Sequence, residues 1–225
     1  MPRKETYFVT GTDTEVGKTY ATCVLLHAAR GAGRTAVGMK PIAAGVDARG
    51  RNEDVERLIA ASSITAPREL VNPYCFAAPV APHIAAAAAG VSVNATRIAA
   101  AARDLAAEAD LLLIEGVGGF IVPLGDDFDT ADLAAHLDVG VILVVGLRLG
   151  CLNHALLTAE AIRKRGLLLA GWIANCIDPD MAWPEENITA LKERLPAPLL
   201  GVLPWQDKLD AAEAARHLTL PQDAG

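Results

Sequence analysis

The sequence predicts an α/β protein whose mainly parallel sheet is covered by helices on both faces. Apolar runs without polar alternation recur along the chain, and helix-forming stretches regularly separate them. Five of these runs end in polar or glycine-rich signals, at Thr12 to Thr19, Lys40, Glu115 to Gly119, Gly146 to Asn153 and Asn175. In open parallel sheets ligands bind outside the carboxyl ends of the strands, so these five places are expected to surround a binding site.

The first strand is centred on Tyr7, Phe8 and Val9, and the run from Thr19 through Leu26 has the density of a packed helix. The loop between them ends in Gly17, Lys18 and Thr19. Backbone N–H groups at such a loop and the helix start form a nest for phosphate oxygens, Lys18 adds a point charge, and the Thr19 hydroxyl can reach Mg2+. Gly11 lies one residue too far from Gly17 for the simple G-x-x-x-x-G-K-[ST] spacing, and Thr12 takes the first position. A chance Gly-Lys-Thr in a turn would not explain the strand before it and the helix after it. Nucleotide binding on a P-loop nucleoside-triphosphatase-like fold is the resulting expectation.

Thr35 to Met39 read as a second strand that delivers Lys40 at its end, with Pro41 fixing the turn. A polar loop from Gly45 to Gly50 leads to a helix that begins with Asp54 and Val55. Asn72 to His83 holds three prolines and no clean period, which predicts a rigid loop. Asn94 can cap a long helix, and Leu111 to Ile114 form a compact strand ending in Glu115. Asp129 or Thr130 can cap the next helix. Val141 to Val145 read as a buried strand, followed by a helix over 152–164, a strand over 167–174, a helix over 184–195 and a last strand over 199–203.

At 225 residues the chain is long enough for one full α/β domain over 1–225. A net charge of −7 argues against a broad nucleic-acid surface, and the Arg163-Lys164-Arg165 cluster suits the end of a helix. The four cysteines form no C-x-x-C pair, which fits a reducing cytoplasm. The N-terminus lacks the apolar region of a signal peptide and no stretch reads as a membrane span, so a soluble, untargeted protein is expected.

Glu115, after four apolar residues, suits a carboxylate that holds Mg2+ together with Thr19; a helix cap is the alternative. Asp54 is less specific because it sits in an acidic first turn. An unpaired Lys40 beside a nucleotide suggests stabilisation of transferred oxygens, against the alternative of a surface ion pair. Asn175 could read a purine through one donor and one acceptor, or simply form a turn. Trp205, beside Pro204, suits either a base-pocket wall or the core. The five histidines lack metal spacing.

Together the stretches YFVTGTDTEVGKT at 7–19, GMKPIAAG at 38–45, RNEDV at 51–55, NPYCFAAPVAPHI at 72–84, IEGVGG at 114–119, VILVVGLRLGCLNHALLTAEAI at 141–162, GWIAN at 171–175 and PAPLLGVLPW at 196–205 resemble the ATP-dependent dethiobiotin synthetases of biotin biosynthesis over essentially the whole chain. The resemblance implies a ligase that closes a urea ring on 7,8-diaminononanoate with CO2, ATP and Mg2+. It implies catalytic roles for Lys40, Lys18, Thr14 and Glu15. Nucleotide contacts are implied for Glu15, Val16, Gly17, Lys18, Thr19, Tyr20, Asp54, Glu115, Gly116, Val117, Gly118, Asn175, Cys176, Pro204, Trp205 and Gln206, and metal contacts for Thr19, Asp54 and Glu115. It further implies a homodimer in which Gly150, Cys151, Leu152 and Asn153 of the neighbouring subunit hold the substrate carboxylate. One position departs from the pattern: Ala44 stands where KP-x-x-S-G carries a serine. Two other readings share parts of these signals. A partitioning or metal-insertion ATPase would usually carry a lysine where this loop has Thr12 and Asp13, and a non-enzymatic nucleotide switch would ignore the diamine.

Overall fold

The computed structural model describes residues 4–208 and 210–221. Its elements in chain order are β1 (Glu5–Gly11), α1 (Lys18–Gly31), β2 (Ala36–Met39), β3 (Ile42–Ala44), α2 (Glu53–Ala61), α3 (Arg68–Val71), β4 (Tyr74–Phe76), α4 (Pro82–Ala88), α5 (Ala95–Glu108), β5 (Leu111–Glu115), α6 (Thr130–Leu137), β6 (Gly140–Leu147), α7 (Cys151–Lys164), β7 (Leu169–Cys176), α8 (Pro184–Arg194), β8 (Leu199–Leu203) and α9 (Ala211–Ala214).

Six strands form one sheet in the order β2-β5-β1-β6-β7-β8, every neighbouring pair parallel. Alternate residues along each strand feed opposite faces. Leu111, Leu113, Ile142 and Val144 join one apolar cluster with Leu25 and Leu26 of α1. Leu112, Ile114, Leu143, Val145 and Trp172 join the other with Ile98 and Leu105 of α5. Two buried faces explain why these strands read as continuous apolar runs. Central β1 pairs with β5 on one side and β6 on the other, so the chain direction across the sheet reverses there and leaves a crevice beyond its carboxyl end.

Several helix starts follow from local chemistry. Asn52 and Asn94 cap α2 and α5 by accepting the N–H groups of Val55 and Arg97. Asp129, rather than Thr130, caps α6 and forms a reciprocal capping box with Asp132. Thr130 is buried and gives its hydroxyl to the Phe120 carbonyl. Arg163 and Lys164 occupy the last turn of α7, while Arg165 reaches Asp129 and Asp132 of the α6 cap.

The stretch 72–83 is more than the expected loop. Its residues 74–76 form β4, which pairs in parallel with β3 as a separate two-stranded sheet, and Pro82 opens α4. Tyr74 and Phe76 turn inward while Cys75 faces solvent, which is the alternation of a half-buried strand. The strand expected over 167–174 runs Leu169–Cys176, so Asn175 lies within it rather than after it. All four cysteines are free, and no helix among the described residues is long and apolar enough to cross a membrane.

Candidate active site

The glycine-containing loop is fastened to the sheet before α1 begins. Thr12 donates its N–H to the Val144 carbonyl at 3.0 Å, which extends the β1–β6 ladder by one bond. At the other end the Asn175 amide donates to the Val16 carbonyl at 2.9 Å. Gly17 has φ of 82°, and a Cβ there would lie 2.2 Å from Asn175 Nδ2, so both conformation and space demand glycine. Glu15 also occupies the left-handed region, at φ 60°. Such backbone in a non-glycine residue is held by its surroundings. No side chain caps α1, which leaves its first N–H groups for a ligand.

Lys18 is buried and donates its ammonium to the Asp13 carbonyl at 2.9 Å. Burial first, then the positive charge of Lys40, brings its pKa down to about 8. The Asp13 carboxylate meets Arg148 at 2.6 Å and accepts the Thr14 N–H at 2.8 Å.

Beyond the loop, β2 and β5 bring Lys40 and Glu115 together. Lys40 Nζ lies 2.6 Å from Glu115 Oε1, 3.2 Å from Asp54 Oδ2 and 3.1 Å from the Gly116 carbonyl. The Thr19 hydroxyl donates to the same Glu115 oxygen at 2.7 Å. Burial alone would depress the Lys40 pKa; Glu115 and Asp54 more than offset it and the net direction is upward. Asp54 goes the other way: burial pushes its carboxyl up, and the Lys40 charge together with hydrogen bonds from Thr19 and Lys40 outweighs that and holds it below the ordinary value. Lys40 is thus ion-paired in a buried site, not on the surface.

Among the described residues no group of three or more His, Cys, Asp and Glu side chains gathers as a metal site. The sequence-derived set is different in kind, with two carboxylates and a hydroxyl. Its donors are the hard oxygens that Mg2+ prefers, and Glu115 Oε2 is buried without a partner. These residues fit a divalent cation.

The remaining expected nucleotide contacts fall into three groups. Gly116, Val117 and Gly118 continue from Glu115 toward the loop, and a Cβ on Gly118 would come within 3.6 Å of the Thr14 hydroxyl. Asn175 and Cys176 end β7, with Pro204, Trp205 and Gln206 just past neighbouring β8; burial raises the Cys176 thiol pKa, opposed by a hydrogen bond with the Trp205 backbone. Trp205 is 45 % exposed and so is not a core residue. Asn175 already commits an amide hydrogen to the loop, a duty the purine-reading expectation lacked. Tyr20 is buried, and burial raises its hydroxyl pKa; it lines a cavity of about 300 Å³ with Cys23, His27 and Arg57.

Gly150, Cys151, Leu152 and Asn153 begin α7, which has no side-chain cap. Leu149 beside them is 97 % exposed. Sequence reasoning missed Asn72, whose amide donates to the Lys40 carbonyl at 2.6 Å and to the Tyr74 carbonyl at 3.0 Å. The available signal was an asparagine before Pro73, ahead of a short β-prone run. It also assigned no role to Asp13 or Arg148.

An AAA domain family model matches residues 5–213. The chain is 56 % identical over 224 residues to the ATP-dependent dethiobiotin synthetase BioD of Aromatoleum aromaticum, covering 98 % of this chain and 100 % of the relative. The chain belongs to the ATP-dependent dethiobiotin synthetase family. A second such synthetase, from Nitrosospira multiformis, is 52 % identical over 214 residues, which is 95 % of this chain and 94 % of that one. The fold extends further than the family: the MinD cell division protein of Aquifex aeolicus superposes with a TM-score of 0.57 at 15 % identity, over 94 % of this chain and 87 % of that one. At that identity the likeness is one of fold alone.

Proposed function

We propose that this chain, acting as one synthetase domain over residues 1–225, joins CO2 to 7,8-diaminononanoate and closes the urea ring of dethiobiotin. ATP is converted to ADP and phosphate. The supporting observation is the convergence of a phosphate-type loop, two buried lysines and the Thr19–Glu115–Asp54 oxygens at one end of the sheet, in a member of this family.

In this reading the uncapped start of α1 and the loop over 15–19 hold the ATP phosphates, with Gly116 to Gly118, Asn175, Cys176, Pro204, Trp205 and Gln206 around the rest of the nucleotide. Thr14 faces the substrate's reacting end. One amine takes up CO2 as a carbamate, with loss of a proton. Lys40 and Lys18 then stabilise the negative charge on carbamate and phosphate oxygens as a carbamate oxygen bonds to the γ phosphorus and ADP leaves. Attack by the second amine on the carbamoyl carbon closes the ring and releases phosphate. Holding both amines in register removes much of the entropy cost of that step. Thr19, Asp54 and Glu115 would hold Mg2+, which when bound supplies charge neutralisation at the phosphates. Glu15 lies in the same loop, and nothing in the structure explains a negative charge there.

The substrate is a long aliphatic acid, and its distant carboxylate needs an anion site of its own. The uncapped first turn of α7 at Gly150 to Asn153 suits it, and a twofold homodimer would bring that turn from the neighbouring subunit. Exposed Leu149, Leu156 and Leu157 on and beside α7 favour a covered surface there. The reading is tested by phosphate release from ATP with and without diamine and bicarbonate. Release in step with dethiobiotin formation is expected; release indifferent to the diamine would replace the synthetase with a nucleotide switch.

A further inference from the structure

Asp13 is an unexpected residue for its loop. It sets a carboxylate beside backbone amides that are read here as holding a polyphosphate, and like charge there opposes binding. The structure engages it at three points. Oδ2 lies 2.6 Å from Arg148 Nη2, Oδ1 accepts the Thr14 N–H at 2.8 Å, and the carbonyl accepts the Lys18 ammonium at 2.9 Å. Arg148 directly follows the last residue of β6, so its backbone is anchored by the strand beside β1. The two side chains are 42 % and 46 % exposed, and pairs this open add little to fold stability. Their placement points instead to the loop they join.

We propose that Arg148 is a positioning residue for ATP. It neutralises Asp13 and fixes it so that the Asp13 carbonyl orients Lys18 and the following amides face the phosphates. The inference rests on the reading of this loop as the ATP site. It also separates charge from shape. Asp13→Asn keeps an oxygen for the Thr14 N–H and removes the charge, whereas Arg148→Met leaves the Asp13 charge uncompensated next to the phosphates.

The experiment compares the parent, Arg148→Met, Asp13→Asn, the double variant and Arg148→Lys, each checked for folding by thermal denaturation. Two readouts are taken: KM for ATP and kcat in the diamine- and bicarbonate-dependent reaction, and affinity for a non-hydrolysable ATP analogue without turnover. Arg148→Met should raise KM for ATP and weaken analogue binding about tenfold, with a smaller change in kcat. The double variant should return to within about threefold of Asp13→Asn, because the charge to be neutralised has gone. Arg148→Lys should fall between parent and Arg148→Met, since it keeps the charge and loses the fork. The Arg148→Met defect should shrink in high salt. A double variant as impaired as Arg148→Met would reduce Arg148 to a structural role, and unchanged ATP affinity in Arg148→Met would overturn the inference outright. Analogue binding decides this even if the diamine has no effect on turnover, an outcome that would overturn the proposed synthetase reaction alone.

Discussion

The Lys40 ammonium stands between Glu115 and Asp54, the same carboxylates that fit a divalent cation. Two cations drawing on one pair of carboxylates repel each other, so Lys40 and a metal ion compete. Replacing Lys40 with Ala should therefore tighten Mn2+ binding to the nucleotide-free protein about tenfold in a titration followed by electron paramagnetic resonance. The same change should lower kcat by far more than it raises KM for ATP. Unaltered or weaker Mn2+ binding would show that the lysine does not oppose the metal. Lys18 makes a different test. It must be protonated to meet phosphate, and its pKa in the free protein is lowered to about 8, while Lys40 is shifted upward and keeps its charge. The value of kcat/KM for ATP should hold steady below pH 8 and fall above it, approaching about tenfold per pH unit. A flat profile to pH 9.5 would sink this assignment. Lys18, Thr19, Lys40 and Glu115 stand out in the sequence because each ends an apolar run or closes a glycine loop. The Asp13–Arg148 pair does not, because its members are separated by 135 positions and neither belongs to a local pattern.

Among the elements, the small β3–β4 sheet was the hardest to read. Each strand has three residues, too few for a period to declare itself, and the prolines around β4 argue for a loop. What decides the matter is pairing between Ile42–Ala44 and Tyr74–Phe76, about thirty residues apart, which no local rule contains. The longer elements were readable because Leu111–Glu115 and Gly140–Leu147 are buried on both faces. Ala44 sits at the end of β3, and Gly45 after it is bonded through its N–H to the Phe76 carbonyl. Because those bonds use backbone alone, Ala44→Ser should keep the strand and restore the hydroxyl that the family pattern carries. One new unstrained hydrogen bond contributes roughly 0.5 to 1.5 kcal/mol, so KM for the diamine should drop by up to about tenfold. A KM that does not move would mean that the hydroxyl has no partner in the bound substrate.

For the whole molecule, the proposed composite site has a direct check. Lys18→Ala disables the phosphate loop, and Asn153→Asp sets a negative charge beside the turn assigned to the substrate carboxylate. Mixed after verified subunit exchange, the two inactive proteins should regain up to about a quarter of parental activity, because random pairing places both intact halves in one site of each heterodimer. Activity no higher than that of the separate variants would place the carboxylate within one subunit. The sheet's parallel character follows from buried runs alternating with helices, but its strand order depends on long-range packing that periodicity does not encode.

That order also bears on how the chain is made. The residues of β1 find their partners at Leu111 to Glu115 and at Gly140 to Val144, more than a hundred positions downstream. At ribosomal rates of about 5 to 20 residues per second, β1 emerges roughly 5 to 20 seconds before its first partner strand. Through that interval Tyr7, Phe8 and Val9 form an apolar segment with both strand edges open, the kind of surface that chaperones bind and that other nascent chains can pair with. The phosphate loop is synthesised long before it can acquire its shape, since Val144 and Asn175, which fasten it, come far later.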